Sequence, residues 1–93
     1  MKTTLEQPIC KVSSDGTKRW YLHDKLHKLH RIDGPAIEYP DGEKHWFQND
    51  IRHRINGPAL EYSNGTKHWY LHGKKVTQQD IMKLSPLILF FII

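Results

Sequence analysis

The sequence predicts a mainly β protein, an antiparallel meander of repeated β-hairpins ending in a short C-terminal helix and an apolar tail. Two linked blocks recur. His30-Arg31-Ile32-Asp33-Gly34-Pro35-Ala36 returns as His53-Arg54-Ile55-Asn56-Gly57-Pro58-Ala59, and Asp41-Gly42-Glu43-Lys44-His45-Trp46-Phe47 returns as Asn64-Gly65-Thr66-Lys67-His68-Trp69-Tyr70. Both share one step, since 53 − 30 = 23 and 65 − 42 = 23. A fixed step marks a repeat array, in which each unit buries its apolar face by stacking on its neighbours. Asp15-Gly16, Asp41-Gly42 and Asn64-Gly65 then fall between alternating runs, where such pairs favour hairpin loops with two residues at positive φ.

The elements follow in order. Lys18, Trp20 and Leu22 project to one side of a strand and Arg19 and Tyr21 to the other, and Lys44/Trp46 and Lys67/Trp69 copy the arrangement. Residues 36–39 and 59–62 are short β-prone runs opened by Gly-Pro, which suits a strand's first residue. Asp33-Gly34 and Asn56-Gly57 supply a second turn in each unit. The first unit is longer, since 42 − 16 = 26, and the three extra residues fall at Leu26-His27-Lys28. Such an insertion is expected to lengthen a surface connection, from Asp24 to Arg31. Thr77 followed by Asp80 has the spacing of a helix N-cap, predicting a helix over 78–84 that Ser85-Pro86 ends. Residues 87–93 form a run apolar on both faces, expected to cover the open sheet or pair with a second copy, with a lipid surface ranked last because no polybasic segment adjoins the run. Leu87, Phe90 and Phe91 are the candidate oligomer contacts. The whole reads as one domain, residues 1–93, with hairpin repeats over 8–76 and the helix and tail over 77–93.

Composition narrows the class. Fourteen Lys and Arg against ten Asp and Glu give +4, a bias too small to imply nucleic acid on its own. Cys10, the single cysteine, excludes an intramolecular disulfide framework and fits a reducing compartment, with the cytoplasm as the expected location. Residues 1–10 lack an apolar core of signal-peptide length, and residues 84–93 are too short to span a bilayer at about 20 residues per crossing.

The Trp-Tyr-x-x-Gly-Lys stretch from Trp69 to Lys74, with the two His-Arg-x-Asp/Asn-Gly-Pro-Ala blocks, resembles the MORN repeat superfamily, in particular the divergent branch of small proteins from tailed bacteriophages and large DNA viruses. The similarity covers residues 16–75. It implies a ladder of β-hairpins used as a binding scaffold, with no catalysis, and suggests a small phage-type effector that blocks a host or defence protein in the host cytoplasm. Arg31 and Arg54 stand where ordinary MORN repeats have glycine, and Asp24 and Asp50 where Gly73 completes the third copy. The lipid-binding role proposed for the superfamily is therefore not carried over.

Among the seven histidines, His23, His27 and His30 are close enough to suggest a metal site, but strands and loops do not place that spacing on one face, and the repeat explains most of them. No metal or other cofactor is expected. Catalysis has no candidate, because Glu38 and Glu61 are copies of one another rather than a differentiated acid and base. Cys10 is expected to be a small buried residue on the first strand. Trp20, Trp46 and Trp69, with Gly34 and Gly57, are expected to be structural, the indoles lining up as a packing spine. Arg31 and Arg54 could pair within the repeat with Glu38 and Glu61 or contact an acidic partner, and their repetition favours the first. Arg19, Tyr21, His27, Lys28, His45, Phe47, Arg52, His68 and Tyr70 are the candidate binding residues. Protein is the expected partner, and single-stranded nucleic acid, stacked on a basic and aromatic face, is the alternative.

Overall fold

A computed structural model describes residues 7–23 and 25–83, with Lys25 and Leu26 described through their backbone alone. Ten strands and one helix follow one another: β1 (Ile9–Val12), β2 (Lys18–Leu22), β3 (Lys25–Leu29), β4 (Ile37–Glu38), β5 (Lys44–His45), β6 (Phe47–Gln48), β7 (Ile51–Arg52), β8 (Leu60–Glu61), β9 (Lys67–Leu71), β10 (Lys74–Val76) and α1 (Gln78–Met82). The main sheet runs β1-β2-β4-β5-β8-β9-β10, β3 adds to β2, and β6 and β7 form a separate ribbon. Every pairing is antiparallel. The repeated hairpin meander is therefore present.

The turns fall where the glycines predict, with a different geometry. Gly16, Gly42 and Gly65 have φ near 94°, 98° and 93°, but Asp15, Asp41 and Asn64 are not at positive φ. Gly16, Gly42 and Gly65 donate N–H to the carbonyls of Ser13, Tyr39 and Tyr62, while Ser13, Tyr39 and Tyr62 donate to Thr17, Glu43 and Thr66. These are three-residue loops, a tight turn followed by one left-handed glycine. Each acidic or amide side chain has another job: Asp15, Asp41 and Asn64 accept from the amide two residues on, all at 2.9 Å. The turns with both central residues at positive φ lie elsewhere, at Asn49-Asp50 (52° and 68°) and His72-Gly73 (51° and 84°).

Each unit is a hairpin whose returning strand is interrupted. In the second unit the return leaves at His53, which donates N–H to the Trp46 carbonyl, and comes back at Ala59, whose carbonyl accepts from the Trp46 amide. Residues 54–58 make an excursion between. In the first unit His30, Trp20 and Ala36 repeat these contacts around residues 31–35. Asp33-Gly34 and Asn56-Gly57 therefore belong to bends in the excursions, with neither glycine at positive φ.

The registers sort the side chains into rows. Lys18, Glu38, Lys44, Glu61 and Lys67 pair in succession across five strands, so the charges alternate in sign. Two residues along on the same face, Cys10, Trp20, Ala36, Trp46, Ala59 and Trp69 make the next row, linked by Trp20 to Ala36 and Trp46 to Ala59 hydrogen bonds of 2.8 Å. Ala36 and Ala59 are completely buried and Trp46 is 8% exposed, whereas Trp20 and Trp69 are half-buried. Small and large alternate, so the indoles share a row without touching, at about 9.6 Å or two strand spacings.

Arginines fill that row. The Arg31 guanidinium lies 3.9 Å from the Trp20 ring centroid and Arg54 lies 3.9 Å from that of Trp46. On the opposite side a Cβ added to Gly34 would stand 2.7 Å from Arg31 Cζ, and one added to Gly57 2.6 Å from Arg54 Cζ. Each guanidinium is thus clamped between an indole and a bare Cα. Arg31 donates to the Pro35 carbonyl and to Glu38, and Arg54 to the Pro58 carbonyl and to Glu61. The expected Arg–Glu pairing within each repeat is present, at 3.4 Å in both.

Three expectations are corrected. The insertion does not form an irregular connection: Leu22 pairs with Lys25 and Tyr21 with Leu29, so Leu26-His27-Lys28 bulge out within strand β3. Cys10 lies on the first strand but is exposed, because β1 is a sheet edge and nothing described covers it. The helix stops at Met82 with Lys83 as its C-cap, and its N-terminus carries the expected box, Asp80 N–H to Thr77 Oγ1 and Thr77 N–H to Asp80 Oδ2, both 3.0 Å. Leu84, Ser85-Pro86 and the tail with Leu87, Phe90 and Phe91 lie outside the described residues. Among the described residues no helix is long and apolar enough to cross a membrane.

The clamp yields a double-mutant test. Gly57→Ala is expected to cost about 2 kcal/mol in urea unfolding, because the new methyl overpacks the guanidinium. In an Arg54→Ala background the same change should cost under about 0.5 kcal/mol, and equal costs in both backgrounds would show that glycine is there for another reason.

Candidate interaction face

The face opposite the indoles gathers cations and aromatics. Lys11, Arg19, Ile37, His45, Leu60 and His68 pair in succession along one row. Ile37 and Leu60 are buried, and this row contains no carboxylate to match Glu38 and Glu61 on the other side. Next to it, Phe47 pairs with Arg52 and Tyr70 with Lys75.

Four of the sequence-predicted residues meet in one cluster that joins two units. Arg52 lies over the rings of Phe47 at 4.7 Å and Tyr70 at 5.2 Å. Its guanidinium donates to His45 Nδ1 at 2.8 Å, and His45 Nε2 then carries the hydrogen that meets Glu43 Oε2 at 2.7 Å. The His45 ring is parallel to Phe47, 6.4 Å between centroids, and Tyr39 meets it edge-on at 5.6 Å. His68 has the matching edge contact with Tyr62 at 5.9 Å. The other candidates stand apart from this cluster: Arg19 donates to Ser13 Oγ, Tyr21 lies on β2, and His27 and Lys28 lie in the β3 bulge. Tyr39, Tyr62, Glu43 and Lys75 were missed. The tyrosine pair was findable, since 62 − 39 = 23 matches the repeat step.

Two of the repeated histidines act as joints between units. Arg31 donates N–H to the Phe47 carbonyl, Asp50 to the Leu29 carbonyl, and Asn49 to His30 Nδ1 at 2.8 Å. One unit on, Arg54 donates to Tyr70, Gly73 to Arg52, and His72 to His53 Nδ1, again at 2.8 Å. The same three bonds stitch both junctions. A ring nitrogen that accepts from an amide holds no proton, so both imidazoles are neutral with hydrogen on Nε2. Among the described residues no three His, Cys, Asp or Glu side chains are grouped to hold a metal. Comparison with protein-family models, with curated proteins and with solved structures finds no match.

Burial lowers the pKa of His30 and of His53 below 6.5, and at His53 the nearby His72 adds repulsion. The unfolded chain therefore binds protons that the folded chain refuses. The stability these rings contribute is complete above about pH 6.5 and is lost as pH falls through the lowered folded values. The urea midpoint should hold steady from about pH 8 to 7 and then decline towards pH 5. His30→Asn with His53→Asn keeps an acceptor near the Nδ1 position without a titrating group, and should flatten that decline; an unchanged slope would assign it to other groups.

Proposed function

We propose that the chain is a non-enzymatic protein-binding repeat module that docks through the Tyr–Phe–Arg face. The observation that carries this reading is the Arg52 cluster, a cation already held by Phe47, Tyr70 and His45 across two successive units. Such groups lose little freedom on binding, and arginine and aromatic side chains dominate the energetics of protein interfaces. Among the described residues the carboxylates beside these cations are Glu43, which meets His45, and Asp15, which lies near Arg19, so the face keeps an excess of positive charge and an acidic protein surface is the complementary one. The finer reading, a phage-type effector that blocks a host or defence protein by steric occlusion in the host cytoplasm, draws its support from the MORN-like repeats. Assembly through Leu87, Phe90 and Phe91 remains a separate proposal about the tail.

The test is affinity capture from bacterial lysate with mass spectrometry. The chain should enrich a protein that Arg19→Glu with Lys75→Glu loses by about tenfold or more, as expected when charges at an interface rim are reversed. Ile32→Asp, on the opposite face, should retain it. No enrichment would remove the reading. A labelled single-stranded oligonucleotide that binds with a steep salt dependence would assign the face to nucleic acid instead.

A further inference from the structure

Asn-Gly occurs twice in the chain, at Asn56-Gly57 and Asn64-Gly65, and both asparagines are exposed. Solvent access therefore does not distinguish them. Their hydrogen bonds do. Gly65 donates its N–H to the Tyr62 carbonyl at 3.0 Å, closing a hairpin turn, and Asn64 Oδ1 accepts from the Thr66 N–H at 2.9 Å. At the other pair, no acceptor among the described residues meets the Gly57 N–H. Asn56 Oδ1 accepts instead from Arg54 Nε at 3.3 Å, and the same guanidinium lies against Gly57, its Cζ 2.6 Å from where a Cβ would stand.

We infer that Asn56 is a site of spontaneous deamidation, promoted by the Arg54 clamp, whereas the hairpin turn protects Asn64. The Gly57 amide gives its proton to a solvent base, and its nitrogen attacks Asn56 Cγ. The new C–N bond leaves a tetrahedral oxyanion at Oδ1. As that collapses, the Cγ–Nδ2 bond breaks and the side-chain nitrogen takes a proton from water and departs as ammonia. Water then opens the five-membered succinimide, at the side-chain carbonyl to give aspartate or at the main-chain carbonyl to give isoaspartate. Arg54 assists from where it already stands. Its Nε–H draws electrons from Cγ and stabilises the oxyanion, and its charge beside Gly57 favours the deprotonated amide. At Asn64 the attacking nitrogen must first give up the bond that closes its turn.

The first unit shows that one product fits. Asp33 occupies the slot of Asn56, 23 residues earlier, and its Oδ1 lies 3.4 Å from Arg31 Nε. Aspartate at 56 completes a second copy of that ion pair. Isoaspartate routes the main chain through the side-chain carbon and so lengthens the link between residue 56 and Gly57. Gly57 against the guanidinium and the Pro58 carbonyl, which accepts from Arg54 at 3.0 Å, hold the clamp on Trp46. The longer link displaces both. One reaction thus yields two forms of the central unit, one with its clamp kept and one with it released. This inference does not depend on what the chain binds.

The test is incubation of the full-length chain in mildly alkaline buffer over weeks, with peptide mass spectrometry reading the replacement of NH by O at each asparagine. In the folded chain Asn56 should convert faster than Asn64 by about fivefold or more, as expected when one attack must break a hydrogen bond and the other is assisted. In concentrated urea the two should convert at similar rates, since glycine follows both. Asp33→Asn and Asp41→Asn place the same pair in the first unit's excursion and in a hairpin turn where Gly42 donates to Tyr39 as Gly65 does to Tyr62. The first should be labile and the second protected. Asn56→Asp should melt no lower than the unmodified chain, and the isolated isoaspartate form should melt lower. No conversion at Asn56, equal rates at Asn56 and Asn64 in the folded chain, Asp41→Asn reacting as fast as Asp33→Asn, or an unchanged Asn56 rate in a folded Arg54→Gln chain would each overturn the proposal.

Discussion

A guanidinium held between an indole and a bare Cα is the contact on which the rest of this sheet depends. Several strands are only two residues long, and the described apolar core amounts to Ala36, Ile37, Trp46, Ala59, Leu60 and Ile81. So little buried surface leaves a single sheet marginal. The alternation of tryptophan and alanine opens a trough between indoles, and Arg31 and Arg54 fill it with a flat cation that stacks on the ring. A stacked arginine is worth about 0.5–2 kcal/mol depending on how far it is desolvated. Each motif residue then has a reason: glycine gives clearance, the proline carbonyl accepts from the guanidinium, alanine leaves the trough, and glutamate neutralises the charge. Lysine could not replace the arginine, because an ammonium neither lies flat on the ring nor reaches two acceptors in one plane.

The clamp explains how the array ends. Continuing the first unit's 26-residue offset backwards puts Cys10 in the slot of Ala36 and Val12 in that of Glu38. Strand β1 is thus the returning half of a unit, with no glutamate for an arginine to meet. At the far end Thr77 stands 23 residues after Arg54, where a third arginine would be. It caps a helix instead, so the third unit has no excursion of the same kind, and Ile81 of that helix is buried. Terminal units that depart from the repeat are what a nearest-neighbour array requires, since an end has a partner on one side only.

The hairpin meander, the row of tryptophans, the Arg–Glu pairs and the Thr77 cap were legible because each is written twice or follows from a short-range rule. Turn geometry was less so. Asp-Gly and Asn-Gly suit both a two-residue loop and a three-residue loop with a left-handed glycine, and what decides is the side-chain oxygen accepting the amide two residues on. The true two-residue turns were hidden in Asn49-Asp50 and His72-Gly73, where only one of four residues is glycine. The place of the insertion is legible and its form is not, because strand pairing closes on both sides of the bulge. The Arg52 cluster was only partly visible. Its members were named singly, but their convergence depends on a junction between units, which no local pattern encodes. The histidine joints lay beyond reach for the same reason, since each links residues 19 apart through one ring nitrogen.

Individuality must then lie in the positions the repeat does not copy. Lysine is invariant at 18, 44 and 67 and tryptophan at 20, 46 and 69, all on the clamp side. The residue between them changes from Arg19 to His45 to His68, and the slot before the lysine from Thr17 to Glu43 to Thr66. Where it changes to histidine and glutamate together, at 45 and 43, the side chains engage one another and set Arg52 against Phe47 and Tyr70. The first and third units, with arginine and threonine or histidine and threonine in these slots, form continuous five-residue strands, whereas in the second the strand is divided into β5 and β6. The odd unit is also the central one, flanked by both junctions. Arg52 stands on the β6–β7 ribbon beside the main sheet, so under the proposed reading a partner on the Tyr–Phe–Arg face would meet a cation that its own chain already orients against Phe47, Tyr70 and His45.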